Sequence, residues 1–143
     1  LSWRSRGADS KCERCEEIED KIGIQALRLG VKSEKMKLEK VYIDEELGEA
    51  IMEFYDTESI LTVYENKQND NSVFDKKIDG EVIETIDAFY LDKAVDIIAT
   101  DKGDGTSLYT VELEHENAYY YISGDLELGT FEEILNGIYF KSV

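Results

Sequence analysis

The sequence contains no proline, one histidine and two cysteines in 143 residues. Without proline to interrupt backbone pairing, exposed strand edges must be protected by charged side chains and bulges. No run approaches the ~20 apolar residues that a bilayer-spanning helix needs. The chain also lacks an internal repeat and a linker rich in Pro, Gly or Ser, so its length predicts a single domain.

Catalytic signatures are missing as well. The sequence has no G-x-S-x-G, H-E-x-x-H, P-loop or G-x-G-x-x-G pattern, which leaves nucleophilic hydrolysis, zinc proteolysis and nucleotide binding without support. The single histidine, His115, lies between Glu114 and Glu116, which should favour its charged form over the neutral form that a general base needs. With 33 acidic residues, some close carboxylate pair is nearly inevitable and says little about glycoside hydrolysis. The sequence therefore predicts neither catalytic residues nor a cofactor.

Positive charge is scarce. Sixteen Lys and Arg residues stand against 33 Asp and Glu residues, which gives a net charge of −17 at pH 7. The resulting negative field opposes binding to nucleic acid and to anionic membranes, because both require a basic patch. Cationic partners or divalent ions are favoured instead, although acidity for solubility alone is the simpler interpretation.

The two cysteines, Cys12 and Cys15, form a C-x-x-C pattern. A zinc site would need a second pair of ligands, and a thioredoxin-like site would need a buried strand before the motif, where this chain has a polar stretch. The alternatives that stay open are an incidental pair, which an oxidising compartment would join as a local disulfide, an intermolecular linkage, and a metal or redox site.

The N-terminal residues 1–15 are predicted to be a lead-in to a single domain at 16–143. Residues 1–11 show no periodicity and are typical of a flexible segment. Trp3, Arg4 and Arg6 are residue types that commonly lie beside a membrane span. We therefore expect an upstream anchor or signal peptide that has been removed, with membrane contact only through that anchor, and an extracytoplasmic location.

The first two thirds of the domain read as one helix and a series of strands. An acid-rich helix is expected at Glu13–Ile22. Strands are expected at residues 24–29, 36–43, 50–55, 59–64, 82–91 and 94–100. In the second of these, Met36, Leu38 and Lys40 should share one face. Residues 65–72 contain no apolar side chain and are expected to be an exposed loop.

Residues 101–106 superficially resemble a calcium-binding loop. The EF-hand pattern requires oxygen ligands at its third and fifth positions, where this chain has Gly103 and Gly105. We therefore expect a hairpin turn here, with weak calcium binding as the alternative.

The C-terminal third predicts a β-hairpin at residues 107–123 followed by a helix. Thr130 and Glu133 have the S/T-x-x-E spacing of a capping box. Four apolar residues then recur at helical spacing: Phe131, Ile134, Leu135 and Ile138. The expected class is α+β, with a curved antiparallel β-sheet of six to eight strands, a short N-terminal helix and a C-terminal helix packed on one face.

Tyrosine is the residue type best suited to binding, and the chain has nine. In the last hairpin strand Tyr119 and Tyr121 alternate with Tyr120, so that one set belongs to the core and the other to the opposite face. Exposed tyrosines provide rigid, amphipathic contact area for peptides or sugars. We predict Tyr119, Tyr121, Tyr55 and Tyr64 as ligand- or partner-binding residues. The alternative is that another element covers this face, or that it carries only cross-strand aromatic pairs.

Several of these segments together resemble a known bacterial family. They are AIMEFY at 50–55, LTVY at 61–64, AYYYISGDL at 118–126 and FEEIL at 131–135. The chain resembles, over roughly residues 16–140, the bacterial domain of unknown function family 4367. Its members occur in Gram-positive bacteria, often outside the membrane behind a single anchor and sometimes in proteins related to sigma-factor control. The resemblance implies an extracytoplasmic binding module and supplies no catalytic residues.

Three functional hypotheses follow from the sequence. The first is a non-enzymatic extracytoplasmic binding or sensing domain whose ligand is a protein, a peptide or a glycan. The second is a carboxylate-based hydrolase acting on cell-surface polymers. The third is a calcium-dependent adhesion or scaffold module.

Overall fold

The computed structural model describes residues 12–30, 35–57, 59–67 and 80–141. Within these ranges the helices are α1 (Glu13–Ile22) and α2 (Leu128–Gly137). The strands are β1 (Arg28–Leu29), β2 (Lys37–Asp44), β3 (Glu49–Asp56), β4 (Ser59–Lys67), β5 (Glu81–Ala88), β6 (Lys93–Asp101), β7 (Ser107–His115), β8 (Ala118–Gly124) and β9 (Ile138–Tyr139). A 3₁₀ turn at Phe89–Leu91 joins β5 to β6. The predicted lead-in at 1–11 and the predicted loop beyond Lys67 lie outside the described residues.

Seven strands form one antiparallel sheet in the order β2-β3-β4-β8-β7-β6-β5, and β1 pairs with β9 in a separate two-stranded sheet. The α+β class, the antiparallel sheet and the two terminal helices are therefore confirmed. In the described part of the chain, neither helix has the length and apolar character needed to cross a bilayer.

Both helices pack on the same face of the seven-stranded sheet. Apolar residues of α1 and α2 join sheet residues in one core cluster. Its most buried members from these elements include Ile18, Phe131, Ile134, Leu135, Met52, Leu61, Val63, Val111 and Ile122. The predicted apolar stripe of the C-terminal helix is thus buried as expected, although its last member, Ile138, lies in β9.

The first strand is much shorter than predicted, because only Arg28–Leu29 of residues 24–29 pairs with another strand. Carboxylates take up the preceding backbone donors instead. The Ala26 N–H donates to Glu19 Oε2 at 3.1 Å, and the Leu27 N–H donates to Glu65 Oε1 at 2.5 Å. These side-chain acceptors replace a neighbouring strand.

The prediction of a capping box at Thr130 is wrong. Helix α2 begins at Leu128 and its N-cap residue is Glu127, with no side-chain hydrogen bond to the cap. The Phe131 N–H donates to the Glu127 carbonyl at 2.9 Å, so Thr130 already lies inside the first turn. By contrast α1 has the predicted bounds and ends at Gly23, whose φ of +83° gives the left-handed conformation of a C-cap.

Two strand predictions fail for identifiable reasons. A β-bulge between Leu38 and Lys40 shifts the register, so that Leu38 pairs with Phe54 on the core face while Lys40 pairs with Glu53 on the opposite face. Strand β4 continues to Lys67, which places the first part of the predicted exposed loop inside the sheet.

The β6–β7 connection is the predicted hairpin turn. Asp101 pairs with Ser107 at its base, the Gly103 N–H donates to Asp101 Oδ1 at 2.8 Å, and the Thr106 N–H donates to Asp104 Oδ1 at 3.0 Å. The carboxylates that suggested a calcium loop therefore hold the turn itself. Among the described residues, no group of three or more His, Cys, Asp or Glu side chains is arranged to hold a metal ion.

Candidate functional site

The sheet face opposite the two helices carries all four tyrosines predicted to bind a ligand. Because directly paired residues of neighbouring antiparallel strands lie on the same face, the register decides this placement. Tyr64 pairs with Tyr121, and Tyr55 lies on β3 two positions from Glu53, which pairs with Thr62. Tyr119 lies on β8 two positions from Tyr121. We call this surface the tyrosine face.

One row of paired residues crosses the tyrosine face from β2 to β7. It runs through Tyr42, Ile51, Tyr64, Tyr121 and Glu112. The row contains three aromatic rings on neighbouring or next-neighbouring strands, which lie about 4.8 Å apart. Together with Tyr55 and Tyr119, these rings make a wide aromatic surface on one side of the sheet.

The exposure of these side chains is graded across the face. Tyr42 is 52% exposed, Tyr55, Tyr64 and Tyr119 are half-buried, and Tyr121 is only 9% exposed. Tyr121 nevertheless lies outside the hydrophobic core cluster, whereas its chain neighbour Tyr120 is fully buried within it. The predicted division between Tyr120 and the Tyr119–Tyr121 pair is confirmed, but Tyr121 offers little surface to a ligand.

Two tyrosine hydroxyls on this face donate to carboxylates, and a third tyrosine lies near one. The Tyr55 hydroxyl donates to Glu53 Oε1 at 2.9 Å and the Tyr64 hydroxyl donates to Glu49, while Glu112 interacts with Tyr119 and raises its pKa. Ionising such a phenol would place two negative charges side by side. The pKa of Tyr55 is accordingly raised, chiefly by its hydrogen bond to Glu53.

Burial adds to this effect at the two tyrosines nearer the middle of the sheet. Burial, with Glu49 second, raises the pKa of Tyr64 to about 12, and burial followed by Glu112 raises the pKa of Tyr119. Asn66 also donates its side-chain amide to the Tyr64 hydroxyl at 3.0 Å. The phenol groups therefore stay protonated, and the Tyr64 hydroxyl is held between a donor and an acceptor.

Lys40 lies beside the first of these pairs. Its Nζ is 5.9 Å from the centroid of the Tyr55 ring, within the range of a cation–π interaction. The pKa of Lys40 is raised, first by Tyr55 and then by Tyr42 and Glu53. One ammonium group of the chain itself thus already occupies an aromatic and acidic environment on this face.

The charge of the tyrosine face is predominantly negative. By the register, β2, β3, β4, β7 and β8 contribute these acids: Asp44, Glu49, Glu53, Glu112 and Glu114. They contribute these bases: Lys37 and Lys40. The face therefore combines aromatic rings with a local excess of carboxylates.

Sequence reasoning missed Tyr42, the most exposed tyrosine of this face. The signal was present, because Val41 and Ile43 flank it and both pack against the core. The sequence analysis placed Met36, Leu38 and Lys40 on one face without a bulge, and this alternation would also place Tyr42 on the core face.

A second region of interest lies at the edge of the helix-covered face. A cavity of about 470 Å³ is lined by Glu19, Gly23, Ile24, Gln25, His115, Glu116, Asn117, Ala118 and Lys141. Its two carboxylates are engaged by the protein. Glu19 accepts from Arg28 Nη2 at 3.0 Å as well as from the Ala26 N–H, and Glu116 accepts from the Gln25 amide at 3.3 Å. These contacts favour a structural role for the two acids over general acid catalysis.

His115 does not have the environment predicted from its neighbours. Its ring stacks on Phe140 with centroids 3.8 Å apart and planes 4° from parallel. The pKa of His115 is lowered, because burial outweighs the opposing effect of Glu116, and Lys93 lowers it further. The expected stabilisation of the charged imidazolium is therefore wrong: burial favours the neutral form.

Among the described residues, Glu65 is an ionisable group in an unusual environment. It is fully buried on the core face, and its Oε2 has no hydrogen-bond partner among the described residues. Burial raises the pKa of Glu65 to about 8, with Glu19 adding to the rise while the Leu27 N–H and Arg28 oppose it. Beside it, the Tyr120 hydroxyl donates to the Gln25 carbonyl. In β4, Leu61, Val63 and Glu65 alternate on the core face. The sequence analysis missed this placement because the polar residues around Glu65 predicted a loop.

Cys12 and Cys15 form a disulfide at the start of α1. Cys12 is the N-cap residue and Cys15, which is 3% exposed, belongs to the core cluster. Residues 13–15 therefore form the first turn of a packed helix, as the helix predicted at Glu13–Ile22 requires, although the predicted lead-in had included them. Of the alternatives left open by the sequence, the structure has the local disulfide.

Comparisons with known proteins add no family to this description. No protein-family model matches the chain, and no curated protein matches it significantly.

Proposed function

We propose that the protein is a non-enzymatic binding or sensing domain that works outside the cytoplasm and binds a protein or peptide partner through the tyrosine face. The observation that carries this proposal is the common placement of Tyr55, Tyr64 and Tyr119 with Tyr42 on one sheet face, while both helices pack on the other. Tyrosine is enriched in protein interfaces because it gives large contact area at a low cost in side-chain entropy.

Part of the tyrosine face is exposed, whereas Tyr121, Ser123 and Thr110 on β8 and β7 are buried. Tyr42 is 52% exposed and Ile60 is 38% exposed, and both lie on the tyrosine face. The carboxylates beside them keep the face polar enough to stay soluble without a partner.

The disulfide between Cys12 and Cys15 supports the proposed location. Structural disulfides form and persist in oxidising compartments and are rare in the cytosol of most organisms. Alkylation of free thiols in protein extracted from its host tests this part, and fully reduced cysteines would contradict it.

Selection of peptides from a random phage-displayed library tests the binding function without knowledge of the partner. The purified protein is immobilised, and the selected clones are then tested against Tyr64→Leu, which removes one ring of the tyrosine face. Tyr90→Leu is the matched control, since Tyr90 is 45% exposed in the 3₁₀ turn, which contacts α2 and β9.

The proposal expects enriched clones that bind the unmodified protein and Tyr90→Leu but bind Tyr64→Leu several-fold more weakly. Thermal unfolding of both variants checks that each remains folded. Failure to enrich any clone, or equal binding of the clones to both variants, would overturn the proposed function.

A further inference from the structure

The cavity at the edge of the helix-covered face has no part in the proposed function. It measures about 470 Å³, within the range of about 300–1,000 Å³ that is typical of small-molecule sites. Gly23 at the end of α1, Gln25 in the segment that follows and Asn117 in the β7–β8 turn all line it. An inference drawn from this cavity is therefore independent of binding at the tyrosine face.

Hydrogen bonds from the protein itself hold the walls of the cavity in place. The Ala26 N–H donates to Glu19 Oε2 at 3.1 Å, and the Tyr120 hydroxyl donates to the Gln25 carbonyl. The Gln25 side-chain amide donates to Glu116 Oε2 at 3.3 Å, which joins the segment after α1 to the β7–β8 turn. Because these groups are ordered before any ligand arrives, little side-chain entropy remains to be lost on binding.

The charges around the cavity compensate one another with one exception. Glu19 is paired with the buried Arg28, whose Nη2 lies 3.0 Å from Glu19 Oε1, and Lys141 Nζ lies 3.9 Å from Glu16 Oε1. Glu116 instead accepts from a neutral side-chain amide, and the ion pairs of the described residues do not include it. One carboxylate of the cavity wall therefore has no cationic partner in the described part of the chain.

The remaining lining adds a second negative feature and an apolar surface. Helix α1 ends at Gly23, so the negative end of its dipole lies at the cavity wall. Ile24 and Ala118 are 7% and 2% exposed and provide apolar contact area. The ring of His115 is held by stacking on Phe140, and burial lowers the pKa of His115, so that the ring is neutral at pH 7 and does not repel a cation.

We propose that this cavity binds a small organic cation, with its ammonium group at the Glu116 carboxylate and its apolar part against Ile24 and Ala118. The net charge of −17 supports this assignment at longer range, because it attracts cations to the protein before contact is made. A neutral molecule of the same shape gains only the apolar contact, and an anionic one is repelled by Glu116.

Three probes of nearly equal shape test the proposal: phenethylamine, which is cationic, phenethyl alcohol, which is neutral, and hydrocinnamate, which is anionic. Their binding is followed in amide proton–nitrogen correlation spectra. For a ligand of this size we expect phenethylamine to bind with a Kd of about 1 mM. Phenethyl alcohol should bind about two- to fivefold more weakly, the equivalent of one exposed ion pair, and hydrocinnamate more weakly still. The largest shifts should lie at residues 23–25 and 115–118.

Three variants of the protein locate the ammonium group. Glu116→Gln removes the charge but keeps an oxygen for the Gln25 amide, so it should weaken phenethylamine about two- to fivefold and leave phenethyl alcohol unchanged. Asn117→Asp adds a carboxylate to the same wall and should strengthen binding of the amine. Glu133→Gln is the matched charge control, because Glu133 is exposed on α2 and does not line the cavity, and binding should be unchanged. Thermal unfolding checks that each variant remains folded.

Several results would overturn the proposal. They are absence of phenethylamine binding, equal binding of the three probes, shifts centred away from the cavity, and equal effects of Glu116→Gln and Glu133→Gln. If the amide of Nα-acetyl-lysine binds more tightly than phenethylamine, the cavity takes a lysine side chain of a partner protein and the assignment to a small molecule fails. The Tyr64→Leu variant should bind phenethylamine normally, so failure here leaves the proposed function of the tyrosine face standing.

Discussion

Replacing Glu65 with glutamine should make the stability of this protein much less sensitive to pH. Glu65 is fully buried, and burial raises its pKa from 4.5 to about 8. At pH 7 the folded protein therefore keeps this carboxyl protonated, while the unfolded chain has it ionised. Folding must take up a proton, which costs free energy as the pH rises.

The sign and size of the effect follow from the two pKa values. Below about pH 4.5 the carboxyl is protonated in both states, so ionisation of Glu65 takes nothing from the free energy of unfolding. Between about pH 4.5 and pH 8 only the unfolded state ionises, so stability falls with rising pH and then levels off. At about 1.4 kcal/mol per pH unit, the loss reaches about 3 kcal/mol at pH 7 and about 5 kcal/mol above pH 8.

Glu65→Gln keeps an oxygen that can accept from the Leu27 N–H but cannot ionise. Any cost of burying the amide is the same at every pH. The free energy of unfolding of the variant, minus that of the unmodified protein, should therefore increase by about 3 kcal/mol between pH 4.5 and pH 7. Taking this difference cancels the pH dependence of the other carboxylates, which is common to both proteins.

Urea unfolding followed by far-ultraviolet circular dichroism, at several values from about pH 4.5 to about pH 9, measures the difference. Glu133→Gln serves as control, because Glu133 is exposed on α2 and its replacement should give a difference that hardly changes with pH. A flat difference for Glu65→Gln as well would refute the reasoning, since it would mean that Glu65 ionises normally in the folded protein.

Two further predictions concern stability. Gly30→Ala should lower the free energy of unfolding by about 1–3 kcal/mol, because the new Cβ would lie 2.6 Å from the Gly137 carbonyl oxygen. The control Gly129→Ala, whose Cβ would have nothing within 4 Å, should leave the melting temperature unchanged or raise it. Equal effects of the two substitutions would contradict the packing around Gly30. Reducing the disulfide between Cys12 and Cys15 should cost only about 2 kcal/mol in urea unfolding, because it closes a very short loop, and complete unfolding on reduction would argue against this estimate.

The elements whose apolar pattern repeats over several turns or strands were predictable. Helix α1 has the predicted bounds, and the apolar stripe of α2 is buried as its spacing indicated. The alternation in β8 correctly separated Tyr120 from Tyr119 and Tyr121. These features depend on local periodicity, which one segment of sequence contains completely.

Features decided by a partner elsewhere in the chain were not predictable. The bulge before Lys40 depends on pairing with β3, and it alone moves that lysine to the tyrosine face beside Tyr55. The short β1 depends on Glu19 and Glu65, which supply acceptors from outside the segment. A one-residue shift of register exchanges the two faces of a strand, so small errors of this kind reassign functional residues.

By itself, the sequence determined the α+β class, the bounds of α1, the acidity of the surface and the alternation that separates Tyr119 from Tyr120, because composition and short-range periodicity contain them. Only the tertiary structure decided that Tyr42, Tyr55 and Tyr64 share one face, since strand order and register bring together residues that are distant in the chain. It alone also decided that Glu65 is buried, because the burial of an ionisable side chain depends on the elements that pack over it.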